Sequence, residues 1–185
     1  MLFLLLKRRR NAMEQWDLYD ENRNLLPQKV FRGEAVPEGC YCLAVSVWVF
    51  NTQGEILLTL RSSQKESWAG YWENTGGAAT TGETSLQAAI RELREETGII
   101  ADKNQLQLLS QSRWDKGFMD IYALCVDIPI ENIQLQVGET EDAQWVDWKT
   151  LQQMCIQGKI AQPIANRFQE LKPVLLQFCN QYFNG

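Results

Sequence analysis

The sequence predicts an α/β (α+β) fold, in which a mixed β-sheet packs against helices within one domain. The chain has 185 residues, 45% of them apolar and seven of them tryptophan, which suits one large core. Short apolar segments with strand-like patterns recur up to residue 147, and helical patterns follow at two places. We expect the domain to span residues 13–185, after a loose tail at residues 1–12.

Three strands are predicted before residue 51, at 15–20, 28–33 and 43–50. The third, LAVSVWVF, alternates between two apolar faces. Its three valines form one face, and Trp48 and Phe50 form the other. A strand that is apolar on both faces is predicted to lie inside the sheet, covered on both sides.

The segment NTQG (51–54) is a predicted hairpin turn into a fourth strand at 55–61. A glycine-bearing loop then continues to residue 77. Further strands are predicted at 106–114, 118–127 and 143–147.

A helix is predicted from Glu83 to Thr97, because its apolar side chains recur at helical spacing. The stripe consists of Leu86, Ala89, Ile90 and Leu93. Gly98 follows directly, and glycine commonly ends helices because it adopts left-handed backbone angles without strain.

Two more helices are predicted near the C-terminus. The segment WKTLQQMCIQG (148–158) starts one of them, with Thr150 as a possible N-cap. Residues 163–183 form the other, interrupted or kinked at Pro173. This last helix packs either on its own domain or on a second copy, so a homodimer stays possible.

Composition excludes several classes of function. The net charge is −5 and the sequence pI is about 4.9, so nucleic-acid binding by phosphate attraction is not expected. The chain has no histidine, which removes the commonest general base and zinc ligand. An acidic enzyme can still act on a phosphorylated small molecule when a metal bridges the two.

Cysteines and the N-terminal sequence bear on location. The five cysteines are odd in number and lack C-x-x-C spacing, so we interpret them as reduced thiols of a cytoplasmic protein.

The N-terminal sequence MLFLLLKRRRNAM has an apolar run of five residues, too short for a signal peptide or a membrane span. We interpret it as a tail ahead of an alternative start at Met13, and expect no membrane partner.

The predicted helix carries an acidic cluster at its edge. Glu92, Glu95 and Glu96 lie on one side of the helix, next to the apolar stripe, where their charges repel. Two interpretations are open. The acids form a solvated face balanced by Arg91 and Arg94, or they surround a bound divalent cation.

The wider pattern favours the cation. From Gly77 the chain reads GAATTGETSLQAAIRELREETGI. It resembles the Nudix box, G-x5-E-x7-R-E-U-x-E-E-x-G-U with U a bulky aliphatic residue, and departs from it at no defined position. The resemblance implies a Nudix fold, a mixed β-sheet sandwiched between helices, here with an additional C-terminal helix. It also implies Mg²⁺ or Mn²⁺ as cofactor.

The resemblance also implies roles for residues of the box. Glu95 and Glu96 are expected as metal ligands, and Glu92 as either a ligand or the general base. Arg91 would orient a glutamate. The resemblance further gives Gly77 to the metal site, where it would let the backbone approach the metal. Glu83 would be either a secondary metal ligand or a charge at the N-terminus of the helix.

Many Nudix hydrolases draw a further acid from outside the box. The segment VGETEDAQW precedes a predicted strand and offers Glu139 as first candidate and Glu141 as second. The alternative is a solvated acidic loop.

The resemblance extends over roughly residues 14–160 to isopentenyl-diphosphate isomerase and the Nudix hydrolases nearest to it. The isomerase active site resembles a Cys and Glu pair with a histidine-rich metal site. Here Gly76 and Gly77 stand where the family cysteines would be, and histidine is absent. Hydrolysis of a diphosphate linkage is therefore favoured over isomerisation.

Several cations and aromatic residues are candidates for substrate binding. Arg61 and Lys65 either contact phosphates or are ordinary surface charges. Trp68, Tyr71 and Trp72 either stack on a base or pack in the core and its rim. Trp114 and Phe118 flank a predicted turn and are expected to line the same cleft.

The sequence thus predicts a Mg²⁺-dependent Nudix hydrolase that cleaves a diphosphate bond in a nucleoside diphosphate linked to another moiety. Three alternatives remain. They are an isopentenyl-diphosphate isomerase, a non-catalytic nucleotide-sensing Nudix module, and a structural or partner-binding protein. The identity of the diphosphate substrate stays open.

Overall fold

The computed structural model of the protein describes residues 14–183. The predicted tail at residues 1–12 and the alternative start at Met13 lie outside this range. Of the helices between residues 14 and 183, none is both long enough and apolar enough to cross a membrane.

The described chain contains two sheets. Strands β1 (Gln15–Tyr19) and β2 (Leu25–Phe31) form an antiparallel hairpin. Seven strands of the described residues form a mixed sheet in the order β5-β4-β3-β8-β7, with β6 also paired to β3 and β9 to β4. Their bounds are β3 Cys42–Phe50, β4 Ile56–Arg61, β5 Trp72–Glu73, β6 Thr75–Ala78, β7 Gln107–Trp114, β8 Gly117–Cys125 and β9 Thr140–Val146. Strands β3 and β8 are parallel, and the other pairs are antiparallel.

Helices cover both faces of the mixed sheet, which confirms the predicted fold class. Helix α1 (Ser85–Thr97) packs on one face. Helices α2 (Trp148–Ile156) and α3 (Gln162–Phe183) pack on the other. A short 3-10 helix, Ile130–Asn132, precedes β9.

Strand β3 contributes to both cores, as its alternation predicts. Trp48 and Phe50 are fully buried among the residues of α2 and α3. Val45 and Val47 are buried on the opposite face, against Ala89 and the rest of the α1 stripe. Burial of both faces makes β3 the centre of the fold.

Helix α1 has well-formed ends. Thr84 is its N-cap and forms a reciprocal capping box with Gln87. Gly98 adopts a φ of 74° and donates its backbone N–H to the carbonyl of Arg94, 3.0 Å away. The predicted end at Gly98 is therefore confirmed, and the helix begins at Ser85 rather than Glu83.

The loop predicted to run to residue 77 contains two strands, β5 and β6. They escaped prediction because β5 has two residues and β6 reads TGGA, which carries no apolar alternation. Glycine is needed in β6, since a Cβ on Gly76 would overlap the carbonyl oxygen of Val45 on β3. Strand β2 also begins three residues earlier and ends two residues earlier than predicted.

At the C-terminal helices, the predicted N-cap Thr150 was wrong, and so was the predicted interruption at Pro173, whereas a kink there stays a prediction. The N-cap of α2 is Asp147, whose carboxylate accepts the backbone N–H of Thr150 at 2.6 Å. Helix α3 continues through Pro173 without interruption. Its buried stripe explains this, because packing outweighs the lost backbone hydrogen bond; the stripe consists of Phe168, Leu171, Leu175 and Phe178.

Candidate active site

A cleft of about 520 Å³ opens beside the C-terminal half of α1. Four parts of the chain form its walls: α1, β6 with the loop after it, the region around the β1–β2 hairpin, and the loops that follow β4 and precede β9. The lining residues are Glu14, Trp16, Arg32, Arg61, Lys65, Gly76, Gly77, Ala78, Thr80, Arg91, Glu92, Glu95, Glu96, Gln136 and Glu139.

Strand pairing brings the two glycines of β6 against the acids of α1. Gly77 pairs with Val45 of β3, and a Cβ on Gly77 would overlap the carboxylate of Glu92. Close approach of backbone and carboxylate therefore requires glycine at this position. This contact explains the glycine by the Glu92 carboxylate, and the predicted approach of the Gly77 backbone to a metal stays a prediction.

Glu96 is a buried carboxylate. Its relative exposure is 8%, and its Oε2 accepts the backbone N–H of Gly76 at 3.3 Å. Burial raises its pKa well above the usual value, and the nearby carboxylates of Glu92, Glu73 and Glu139 raise it further. Among the ion pairs of residues 14–183, none involves Glu96.

Arg91 holds the remaining acids of the box. Its Nη1 donates to Glu92 at 2.8 Å and to Glu95 at 3.2 Å. Its Nε and Nη2 donate to the two carboxylate oxygens of Glu83 at 2.8 and 3.0 Å. Its Nη2 also donates to the carbonyl of Ala78 at 3.0 Å. This geometry supports the orienting role predicted for Arg91.

Glu83 lies outside the lining of the cleft. Besides Arg91, its carboxylate binds the backbone N–H of Thr80 at 2.8 Å. These contacts connect α1 to the loop that follows β6. They favour a structural role for Glu83, and its predicted role as a secondary metal ligand stays untested.

The chemistry of the donor set fits a hard divalent cation, since the carboxylates of Glu92, Glu95 and Glu96 are oxygen ligands that line the same cleft. The observation that supports a cation most directly is the buried Glu96 carboxyl, which has no ion pair among residues 14–183 and whose ionised form the surroundings disfavour in the absence of a cation. Within residues 14–183, no three acidic or cysteine side chains are already arranged to hold a metal ion. Arg91 is bonded to both Glu92 and Glu95, so metal binding would require its Nη1 to release at least one of them.

The structure separates the two candidate acids outside the box. Glu139 lines the cleft and forms an ion pair with Lys65. The carboxylate of Glu141 instead accepts hydrogen bonds from Ser62 and Ser63, at 2.8–2.9 Å. Its placement therefore favours Glu139 as the further acid, and Glu141 as a residue that fixes the loop after β4.

Both predicted phosphate-binding cations line the cleft. Lys65 is paired with Glu139, and Arg61 donates to Glu73 at 2.7 Å and to the carbonyl of Ser67 at 3.1 Å. Burial raises the pKa of Glu73, although Arg61 partly offsets this. Glu73 was missed from the sequence, because it lies in a strand of only two residues and belongs to no motif.

The predicted aromatic lining was wrong for Trp114 and Phe118. Phe118 is buried with its ring centroid 5.4 Å from that of Tyr41, and Trp114 packs over Gly117. Both residues belong to the β7–β8 hairpin, which lies on one side of β3, whereas β6 and its cleft lie on the other.

The aromatic residues of the loop before β5 also lie outside the lining of the cleft. Trp68 and Tyr71 pack edge to face with ring centroids 5.3 Å apart. Trp72 packs against the core beneath α2 and α3, which supports the packing interpretation for that residue. Contact of Trp68 or Tyr71 with substrate stays a prediction.

Seven lining residues were missed from the sequence. Gly76, Ala78 and Thr80 lie in β6 or just after it, whereas Glu14, Trp16, Arg32 and Gln136 lie far from the box in sequence. Three of the last four flank or belong to the β1–β2 hairpin. No local motif marks them, since only the packing of the hairpin brings them to the box.

The cleft therefore joins clustered carboxylates to clustered cations, an arrangement typical of enzymes that act on phosphorylated substrates. A NUDIX domain family model matches residues 41–166. An uncharacterized Nudix hydrolase of Listeria monocytogenes, lmo0368, is 36% identical over 148 residues, which cover 80% of this chain and 88% of that protein. The chain therefore belongs to the Nudix family, whose hydrolases act on pyrophosphate bonds.

Two further similarities agree with this family. An isopentenyl-diphosphate Delta-isomerase of Klebsiella pneumoniae is 36% identical over 118 residues, which cover 59% of this chain and 62% of that protein. The crystal structure of DR0079 from Deinococcus radiodurans shares the fold, with a TM-score of 0.67 at 22% identity, over 80% of this chain and 92% of that one. The predicted family, and its likeness to the isomerases, are both confirmed.

Proposed function

We propose that this chain is a Mg²⁺-dependent pyrophosphohydrolase, with Mn²⁺ as a possible substitute. Its substrate would be a nucleoside diphosphate linked to another moiety, cleaved by water at the diphosphate bond. The buried Glu96 carboxylate carries the proposal, because its described contacts include one hydrogen bond and no cation. Glu96 would help to hold a divalent cation, which would stabilise its ionised form and supply positive charge for substrate phosphates.

Glu92, Glu95 and Glu96 would hold the metal, which would neutralise diphosphate charge and make a bound water more acidic. Arg91 fixes the carboxylates that it contacts. Either Glu92 or Glu139 would take the proton of the attacking water, since both line the cleft.

Arg61 and Lys65 would bind the phosphates, since both place cationic groups in the cleft. Each is held in place by a carboxylate partner. These contacts would orient the diphosphate between the acids and the cations, which lowers the entropic part of the barrier.

Isomerisation is not proposed, although isopentenyl-diphosphate isomerases are among the relatives. The chain has no histidine, and Gly76 and Gly77 stand where the isomerase cysteines would be. The proton donor and the histidine ligands of that chemistry are therefore absent.

The proposal extends to location and partners. A small-molecule diphosphate is the expected partner, and the net charge of −5 argues against nucleic acid as a binding partner. We also propose that the protein is cytoplasmic and that it forms a homodimer.

A substrate screen tests the proposed function. Purified protein is incubated with sugar nucleotides, dinucleoside polyphosphates, coenzyme A and dinucleotide cofactors, with Mg²⁺ or with EDTA, and phosphate-containing products are measured. We expect turnover in Mg²⁺, loss of turnover in EDTA and in Glu96→Gln, and unchanged turnover in the control Glu170→Gln on α3. Turnover that persists in Glu96→Gln would refute the assignment of this residue.

A further inference from the structure

The β1–β2 hairpin contributes one wall of the cleft. Glu14 directly precedes β1 and Arg32 directly follows β2, so the two residues are neighbours at the open end of the hairpin. The backbone N–H of Arg32 donates to the carbonyl of Glu14 at 2.8 Å. Both side chains line the cleft, together with Trp16.

The hairpin is anchored to the rest of the protein at both ends. At its turn, Arg23 donates to the buried carboxylate of Asp120 on β8 at 2.5 Å. Along β1, Asp17 accepts the backbone N–H of Gly82 at 2.7 Å. These contacts fix the backbone of the hairpin relative to the loop before α1 and to β8. The Arg32 side chain itself is 42% exposed, so its position depends on its own contacts.

Contacts within the wall fix the guanidinium of Arg32. Its Nη1 donates to Oε2 of Glu14 at 2.7 Å, while Oε1 of Glu14 accepts the indole N–H of Trp16 at 3.1 Å. Burial opposes the charged form of Arg32, but Glu14, Glu139 and Glu92 together raise its pKa. The guanidinium therefore lies within the field of the acids on the other walls.

We propose that Arg32 binds a phosphate group of the substrate, and that Glu14 is a positioning residue that holds the Arg32 guanidinium in the cleft. This inference rests on the proposed diphosphate hydrolysis. The described contacts of Arg32 use Nη1 and leave Nε and Nη2 available, and these two groups match two phosphate oxygens. Arg61, by contrast, already uses Nε and Nη1 within the protein.

Binding of methylenebisphosphonate, a diphosphate analogue that cannot be hydrolysed, tests the role of Arg32. Its Kd is measured by calorimetry on the full chain, with Mg²⁺ and with EDTA. We expect Arg32→Gln to weaken binding roughly 10- to 100-fold, as for loss of a hydrogen bond to a charged group. The matched control is Lys29→Gln, which removes a cation of the same hairpin outside the cleft. Its ion pair with Asp17 is long, at 3.6 Å, and leaves the Gly82 N–H bond of Asp17 in place, so Kd should change less than about twofold.

A double-mutant cycle tests the role of Glu14. Glu14→Gln keeps an acceptor for the Trp16 indole but removes the charge that holds Arg32. We expect Glu14→Gln to weaken binding several-fold in the wild type and to add nothing in Arg32→Gln, since the residue acts through that guanidinium. A merely structural role would give the same loss in both backgrounds, and that result would refute the assignment.

The outcomes separate this inference from the proposed function. Turnover of a diphosphate substrate, with Arg32→Gln binding the analogue as tightly as Lys29→Gln, would overturn the role of Arg32 alone. No turnover on any substrate, with binding still weakened in Arg32→Gln, would support Arg32 and overturn hydrolysis. Absence of analogue binding by the wild type, with and without Mg²⁺, would overturn the inference.

If Arg32→Gln does not fold, Arg32→Lys still tests whether Arg32 binds phosphate. It retains the charge but not the planar fork of donors, so we expect an intermediate Kd. A Kd equal to that of the wild type would show that the fork is not used.

Discussion

Replacing Glu96 by glutamine should make the metal-free protein more stable. The carboxylate is 8% exposed, accepts a single described hydrogen bond, and lies near Glu92, Glu73 and Glu139. Glutamine has nearly the same shape, keeps an acceptor for the Gly76 N–H, and carries no charge. The substitution therefore removes a buried carboxyl whose ionisation is disfavoured on folding, without opening a cavity.

The expected size follows from the cost of a buried group with unsatisfied polar atoms, about 1–3 kcal/mol. Glu96 keeps one hydrogen bond, so we expect the lower part of this range, about 1–2 kcal/mol. For a chain of this length, that corresponds to a rise in melting temperature of about 2–8 °C.

Mg²⁺ should reverse the order of stability. A cation that binds the folded wild type at 100 times its Kd adds about 2.7 kcal/mol to the free energy of unfolding. Glu96→Gln lacks one ligand and should gain much less. The wild type is then the more stable protein in Mg²⁺ and the less stable one in EDTA.

Thermal unfolding of the wild type, Glu96→Gln and Glu170→Gln, each in EDTA and in Mg²⁺, measures both effects. Glu170→Gln should match the wild type in both conditions. A lower melting temperature of Glu96→Gln in EDTA would refute the reasoning, because it would mean that the protein already compensates the Glu96 charge. An equal gain from Mg²⁺ in all three proteins would refute the metal site.

Three further substitutions test other parts of the site and its supports. Gly77→Ala should displace the carboxylate of Glu92, reduce turnover at least tenfold and destabilise the fold by about 1–3 kcal/mol, measured by kinetics and by urea unfolding. Thr84→Ala removes the N-cap of α1 and should cost about 1 kcal/mol in urea unfolding, and Thr84→Ser should restore most of it. Arg23→Gln leaves Asp120 charged and buried and should cost about 2 kcal/mol, less than a fully buried pair because Arg23 is partly exposed. An unchanged unfolding midpoint in Arg23→Gln would mean that the hairpin is not anchored by this pair.

The sheet, the helices and the box were predictable because they depend on local periodicity. The alternating faces of β3 and the apolar stripe of α1 are each buried, and each pattern is visible within a few consecutive residues. The ends of α1 follow from short-range chemistry, as Gly98 shows. Strands β5 and β6 carry no such pattern, because their pairing depends on close approach at Gly76 rather than on apolar side chains.

The walls of the cleft were only partly predictable because distant segments form them. Arg32 reaches the box through contacts of its hairpin with distant residues, such as that of Arg23 with Asp120, 97 residues away in sequence, and that of Asp17 with Gly82. Trp114 and Phe118 were misplaced for a related reason. A turn next to aromatic residues does not reveal on which side of β3 its hairpin lies.

The three acids of α1 differ in whether a nearby arginine balances their charge. This difference distinguishes the two interpretations of the cluster, a solvated acidic face and a metal site. Arg91 contacts Glu92 and Glu95 and offsets part of their charge, although it shares its single positive charge with Glu83 and burial still raises the pKa of Glu92. Glu96 lies deeper and has no ion pair among the described residues. A balanced surface cluster would not require the third acid to be buried, whereas a metal site needs a ligand inside the cleft. The same Arg91 bonds would then compete with the cation for Glu92 and Glu95, so metal affinity should depend on how readily the guanidinium releases them.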